Sequence, residues 1–298
     1  MTFISFDVRV FPLAVALMAM PVLAQVTPET SPPQAPQAAP AAAKPKVAVP
    51  DYPDPRTITI GAFYWLTQGA QPSIYGGSQA LDYETIRDIG KPKKSPGIEA
   101  SVPITRTGEL KFEFSRMKGD GNQTAPAALD IFTQGINQGD YLATQYQIQH
   151  AKLYLDDLLF PHKFPVAKFR VKSLWEVQWV QIKNTIDAPY VDAAGVTAGT
   201  DAVETATGTK NVILPTFGLA AEYALTPHIL FRLDGSGFGL YHKADMWDAN
   251  ATLSFRKGPI EVMGGAKALH FKTSPNNVEY ESATFTGAFV GLRYHWTL

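Results

Sequence analysis

The chain has 298 residues, 45% of them apolar and 18% charged, with a formal net charge of −1. That balance argues against nucleic acid as a partner, which calls for a strongly basic face. Cys is absent, which excludes a disulfide framework, a thiolate nucleophile and a Cys-ligated metal.

Residues 1–24 have the pattern of a secretory signal peptide. Phe11 to Ala24 is an apolar run, and Val22-Leu23-Ala24 places a small residue before a cleavage point at Gln25. Arg9 is offset by Asp7; a membrane-anchored segment is the alternative reading, against which the run is short and interrupted by Pro12 and Pro21. Residues 25–55 are a Pro/Ala-rich segment with nine Pro and almost nothing to bury. Such a stretch is expected to be a disordered, extended linker at about 3.1 Å per residue.

From residue 56 to 298 the recurring signal is alternation at every second position. Ile58, Ile60, Ala62, Tyr64 and Leu66 share one face of a first strand. Leu110, Phe112 and Phe114 alternate with Glu109, Lys111 and Glu113. Phe169, Val171, Trp175, Val177 and Trp179 alternate with Arg170, Lys172, Glu176 and Gln178. Trp247, Ala249, Ala251, Leu253 and Phe255 alternate with polar residues from Asp248 to Arg256. The pattern predicts ten strands: 56–66, 97–104, 109–117, 140–155, 168–182, 212–225, 229–239, 245–256, 260–272 and 279–298. In 140–155 the alternation changes phase near His150, which predicts a bulge there. The Gly-rich stretches Gly235-Ser236-Gly237 and Gly264-Gly265 fall inside strands, as bends or close contacts rather than a phosphate loop.

The connections sort by parity. Odd-numbered connections span 30, 22, 29, 5 and 6 residues, and even-numbered ones span 4, 12, 3 and 3. In an up-and-down arrangement this puts the long loops at one end. That is the asymmetry of a transmembrane barrel, with long extracellular loops and short periplasmic turns. The exception is the 12-residue connection 156–167. The fold expected is all-β: an antiparallel up-and-down transmembrane β-barrel of about ten strands, twelve being possible, behind a disordered leader.

The positions opposite the apolar faces supply the candidate lumen-lining charges: Lys111, Glu113, Arg170, Lys172, Glu176, Glu222, Arg232, Asp234, Asp248, Arg256, Glu261, Lys267 and Arg293, with Glu99 and Glu109 beside them. Burying these in a sandwich core would be prohibitive, whereas a polar lumen can hold them as a paired network. The candidate membrane-girdle aromatics are Tyr64, Trp175, Trp179, Tyr223, Trp247, Tyr294 and Trp296.

The chain ends on AFVGLRYHWTL, in which Ala288, Val290, Leu292, Tyr294, Trp296 and Leu298 share one apolar face. This end resembles the closing strand of bacterial outer-membrane β-barrel proteins, porin-like proteins among them. Leu292, Tyr294 and Trp296 match the pattern, and Leu298 departs from the usual terminal Phe. The resemblance implies a strand that pairs with the first to close the barrel and is read by the barrel-assembly machinery. It also implies outer-membrane lipids and lipopolysaccharide as surroundings.

A ten-stranded barrel is narrow, so the expected function is a porin-like narrow channel for small polar solutes or a structural membrane protein. The alternative is a barrel enzyme, a protease or lipid hydrolase, with a rim active site drawn from His150, His242, His270, Asp234, Asp245 and Asp248. No nucleophile motif and no His-Glu-x-x-His spacing is present, so no catalytic residue, metal or cofactor is assigned.

Overall fold

The computed structural model describes residues 57–68, 73–76, 91–105, 107–125, 128–132, 134–160, 168–188, 204–240, 243–273 and 279–297. The expected signal peptide and Pro/Ala-rich linker lie outside the described residues, as does most of the loop after the fifth barrel strand. The strands are β1 (Thr57–Gln68), β2 (Ser73–Gly76), β3 (Lys91–Lys94), β4 (Pro96–Pro103) and β5 (Gly108–Thr124). Then come β6 (Leu129–Ile131), β7 (Gln134–Ile136), β8 (Tyr141–Phe160), β9 (Phe169–Ala188) and β10 (Glu204–Ala224). The chain finishes with β11 (Ile229–Leu240), β12 (Ala244–Lys257), β13 (Ile260–Lys272) and β14 (Glu279–Thr297).

Ten of these form a closed antiparallel ring in the order β1, β4, β5, β8, β9, β10, β11, β12, β13, β14. β14 returns to β1 in register from Thr57↔Thr297 to Gln68↔Thr286. The closing strand therefore leaves no unpaired edge, which a lipid environment demands. β2 adds to β14, β3 adds to β5, and β6 and β7 form a separate hairpin. These four short strands fall within the two long loops and carry no alternation long enough to predict them.

The wall is apolar on its outside. Ile60, Tyr64, Leu66, Phe112, Leu153, Phe217, Leu219, Leu253, Val290 and Leu292 are all exposed, and Trp296 is 62% exposed. A belt of large apolar side chains around a closed ring is the signature of a membrane-spanning barrel. The chain spans a membrane through these strands.

Three strands are much longer than the alternation suggested. β5 runs on to Thr124 instead of 117, β9 to Ala188 instead of 182, and β10 starts at Glu204 instead of 212. In these extensions the outer face is polar, with Lys118, Lys183, Thr205, Thr209 and Asn211 pointing out. The inner face there is largely apolar, with Ile186 and Ala206 buried in the extensions, Met117, Ile182 and Val212 at their edges, and Leu142 and Ile148 beside them on β8. The strand continues with its contrast reversed, so a rule that seeks apolar-out stops too early.

The same reversal removes the bulge expected near His150. β8 pairs with β5 without interruption from Gly108↔Asp157 to Thr124↔Tyr141. Its only register shift, against β9, lies between Leu158 and Phe160. The phase change comes from the barrel interior, which passes from apolar to polar along the strand. β8 also continues to Phe160, which shortens the exceptional connection to 161–168.

At the long-loop end the β6–β7 hairpin turns inward. Ile136 is buried, and Phe132, held at φ 50°, packs against the core. Its ring occupies the space a Cβ would need at Gly208.

Candidate functional site

The interior is layered. Nearest the short-loop end, Arg293 on β14 holds Glu99 on β4 in a two-pronged contact, Nε to Oε1 at 2.6 Å and Nη2 to Oε2 at 2.9 Å. Its third nitrogen donates to Glu261 at 3.0 Å, and Glu261 also meets His295 at 2.5 Å.

Above this, Asp156 is fully buried and receives Lys111 at 2.9 Å, Lys172 at 3.1 Å and Arg232 at 2.6 Å. Glu222 shares Lys172 and Arg232 and adds Arg170 at 3.2 Å. Arg232 also binds Asp234 at 2.8 Å, and Lys111 meets Glu109 at 3.1 Å. Carboxylates buried this deeply are tolerable only because each one faces several cations.

The next layer centres on Lys152, which donates to Asp248 at 2.7 Å and lies 3.6 Å from Glu176. The Gln178 amide nitrogen is within 3.1 Å of Glu176, Thr216, Ser236 and Asp248. Its oxygen faces His150 Nε2 at 3.0 Å. Lys267 pairs with Glu113 and sits over the rings of Phe63 and Trp65 at 5.2 and 5.8 Å. From here to the long-loop end the filling is mainly apolar, broken by buried polar groups such as the Asn184–Glu281 pair. Trp65, Met117, Ile148, Ile182, Leu269, Phe271 and Phe285 are all at most 1% exposed.

Twelve of the thirteen charges singled out from sequence thus meet in this interior. Arg256 does not: it lies at the β12–β13 turn and donates to the Gly258 carbonyl at 3.2 Å. Sequence reasoning missed Lys152 and Asp156, two of the most central groups. Unbroken alternation from Leu142 to Leu158, with Leu153 and Leu155 on the other face, is the signal that identifies them. Among the aromatics, Tyr64, Trp179 and Trp247 lie toward the long-loop end of the apolar belt, and Tyr223, Tyr294 and Trp296 toward the short-loop end. Trp175 sits mid-belt and packs edge-on against Phe217 at 5.3 Å.

Of the residues considered for an enzyme, Asp234, Asp248 and His150 belong to the lumen, and His242 lies outside the described residues. His270 and Asp245 meet on the outer wall. His270 Nε2 is 2.8 Å from Asp245 Oδ1, and its Nδ1 is 2.7 Å from Thr284 Oγ1. The imidazole stacks on Trp247 with centroids 5.6 Å apart and planes 15° apart. No group of three or more His, Cys, Asp or Glu able to hold a metal occurs among the described residues.

No family model matches the chain, and no curated protein matches it. Solved structures do. The outer membrane protease OmpT of Escherichia coli superposes with a TM-score of 0.53 at 9% identity, covering 82% of this chain and 98% of that one. The fold is that of an outer-membrane β-barrel. AlkL gives a TM-score of 0.34 at 11% identity over 91% of this chain and 98% of its own. Ail of Yersinia pestis gives 0.32 at 7% identity, over 79% and 98%. At 9% identity the likeness to OmpT is one of fold alone, and it agrees with the ring and belt described above.

Proposed function

We propose that the chain is a closed, structural barrel of the bacterial outer membrane rather than an open pore. The carrying observation is that lumen side chains meet across the barrel. Lys152 and Asp248 stand on β8 and β12, four strands apart in the ring. Asn184 on β9 reaches Glu281 on β14 at 2.7 Å, halfway round the ring. Between these contacts the interior is filled by paired charge on one side and apolar side chains on the other. An aqueous path for small polar solutes would have to pass both layers, so the porin-like reading is the weaker one.

In this reading residues 1–24 export the chain and are cleaved before Gln25, and 25–55 form a periplasmic linker. The long-loop end faces outside, as short periplasmic turns imply. Outer-membrane lipids and lipopolysaccharide surround the apolar belt, and the barrel-assembly machinery receives the closing strand at Leu292, Tyr294 and Trp296. The functional surface is then the raised wall of β5, β8, β9 and β10, whose polar outer face stands clear of the belt.

Planar-bilayer recording on refolded residues 25–298 tests this. The closed reading expects current at baseline. Reproducible conductance steps from protein shown to be folded by its heat-modifiable gel mobility would overturn it in favour of the channel.

A further inference from the structure

The Asp245, His270 and Thr284 row lies where the outer wall changes character on three adjacent strands. On β13 the outward residues Ile260, Val262, Gly264, Ala266 and Ala268 give way to His270 and Lys272. On β14, Val290 and Ala288 give way to Thr286, Thr284 and Ser282. On β12, Leu253, Ala251, Ala249 and Trp247 give way to Asp245. In a membrane-spanning barrel the end of the apolar belt marks the passage from hydrocarbon to headgroups. The geometry points to an acyl-transfer site here, in which Thr284 is the nucleophile, His270 the base and Asp245 its orienting carboxylate. The substrate class is the acyl ester of a membrane lipid.

Each contact has the character this chemistry needs. With its proton on Nε2, the neutral His270 ring donates to Asp245 at 2.8 Å and leaves Nδ1 facing the Thr284 hydroxyl at 2.7 Å. Stacking on Trp247 fixes the ring plane. The His270 side chain is 20% exposed and that of Asp245 43%, so the row is reachable from the interface. Lys272, two residues above His270 and 5.2 Å from the Tyr280 ring, places a cation at headgroup level.

In the first step Thr284 Oγ1 bonds to the ester carbonyl carbon and its proton passes to His270 Nδ1. The intermediate collapses with loss of the lipid alcohol, whose oxygen takes that proton from Nδ1. Water then gives a proton to Nδ1 and adds to the acyl-threonine, and the Thr284–acyl bond breaks. The fatty acid leaves, and Thr284 Oγ1 recovers the proton from Nδ1.

The test uses the full barrel refolded into phosphatidylglycerol vesicles and, separately, into vesicles carrying lipopolysaccharide, with released fatty acid measured by mass spectrometry. Release from the first identifies a phospholipid substrate, and release from the second alone identifies lipopolysaccharide. Thr284→Ala is expected to abolish release while Thr284→Ser retains it. His270→Gln is expected to lower it by roughly 10²–10⁴-fold, the usual share of a general base. A fluorophosphonate probe should label wild type at Thr284 and leave Thr284→Ala unlabelled. If folded protein releases no fatty acid from either vesicle, or Thr284→Ala releases as much as wild type, the site is a structural cross-strand row. Conductance is read separately, so the closed-barrel reading stands or falls independently.

Discussion

Lys152 on β8 and Asp248 on β12 meet at 2.7 Å across the lumen, and both side chains are at most 2% exposed. Neither residue is a neighbour of the other in the sheet, so the contact exists only because the sheet closes. It joins opposite walls and blocks the path between them. Replacing Lys152 by Met leaves Asp248 and Glu176 buried without their cation, and the expected cost is about 3–5 kcal/mol. Replacing both Lys152 by Met and Asp248 by Leu should recover part of that loss, because the second unpaired charge is gone. Reversible unfolding in lipid vesicles measures the coupling. Equal, additive losses from the two single variants would show that the pair does not couple.

The outer wall makes a prediction about depth. Leu253 on β12 is exposed in the apolar belt, whereas Gln149 on β8 also faces outward but stands above it. Leu253→Arg should cost roughly 2–4 kcal/mol near the midplane, and Gln149→Arg roughly 0–1 kcal/mol. The same unfolding assay compares them. A similar cost at both sites would place the belt higher than its polar margin at Arg116, Gln149 and Gln181 indicates.

Orientation follows from the sorting of the connections. A Cys introduced at Asn137, beside the β6–β7 hairpin, should react with a membrane-impermeant maleimide in intact cells. One at Thr107, in the short β4–β5 turn, should react only after the outer membrane is breached. Reversed labelling would turn the barrel over.

Phe132 and Gly208 form a further testable pair. The Phe132 ring lies against Gly208 in place of a side chain. Gly208→Val should push the ring away and release the hairpin, with the barrel strands unchanged. Limited proteolysis should then cut within 126–140 faster than in wild type, while the boiled and unboiled gel positions stay as before. Unchanged cleavage would show that Phe132 does not anchor the hairpin.

All ten barrel strands were legible from alternation, because a lipid-facing wall repeats apolar side chains at period two wherever the strand crosses the belt. The interior charges on β5, β9, β10, β12 and β13 were legible for the same reason. Their neighbours Lys152 and Asp156 were not, although they obey the same period. On β8 the buried set runs Leu142, Tyr146, Ile148, His150, Lys152, Asp156, so which face is apolar changes along one straight strand. Without the partner strands, that reversal is indistinguishable from an inserted residue.

What the amino-acid order determines by itself is local: the pleat, the belt, the long and short connections, and a last strand fit to pair in lipid. A period-two pattern needs only nearest neighbours on one strand and one solvent to face. Closure brings together residues far apart in sequence, among them Lys152 with Asp248 and Asn184 with Glu281. These contacts depend on the number of strands in the ring and on their register. The paired lumen and its mainly apolar upper half are therefore properties of the closed barrel, because distance across a ring is set by all of its strands at once, whereas the row on the outer wall needs only the register of β12, β13 and β14.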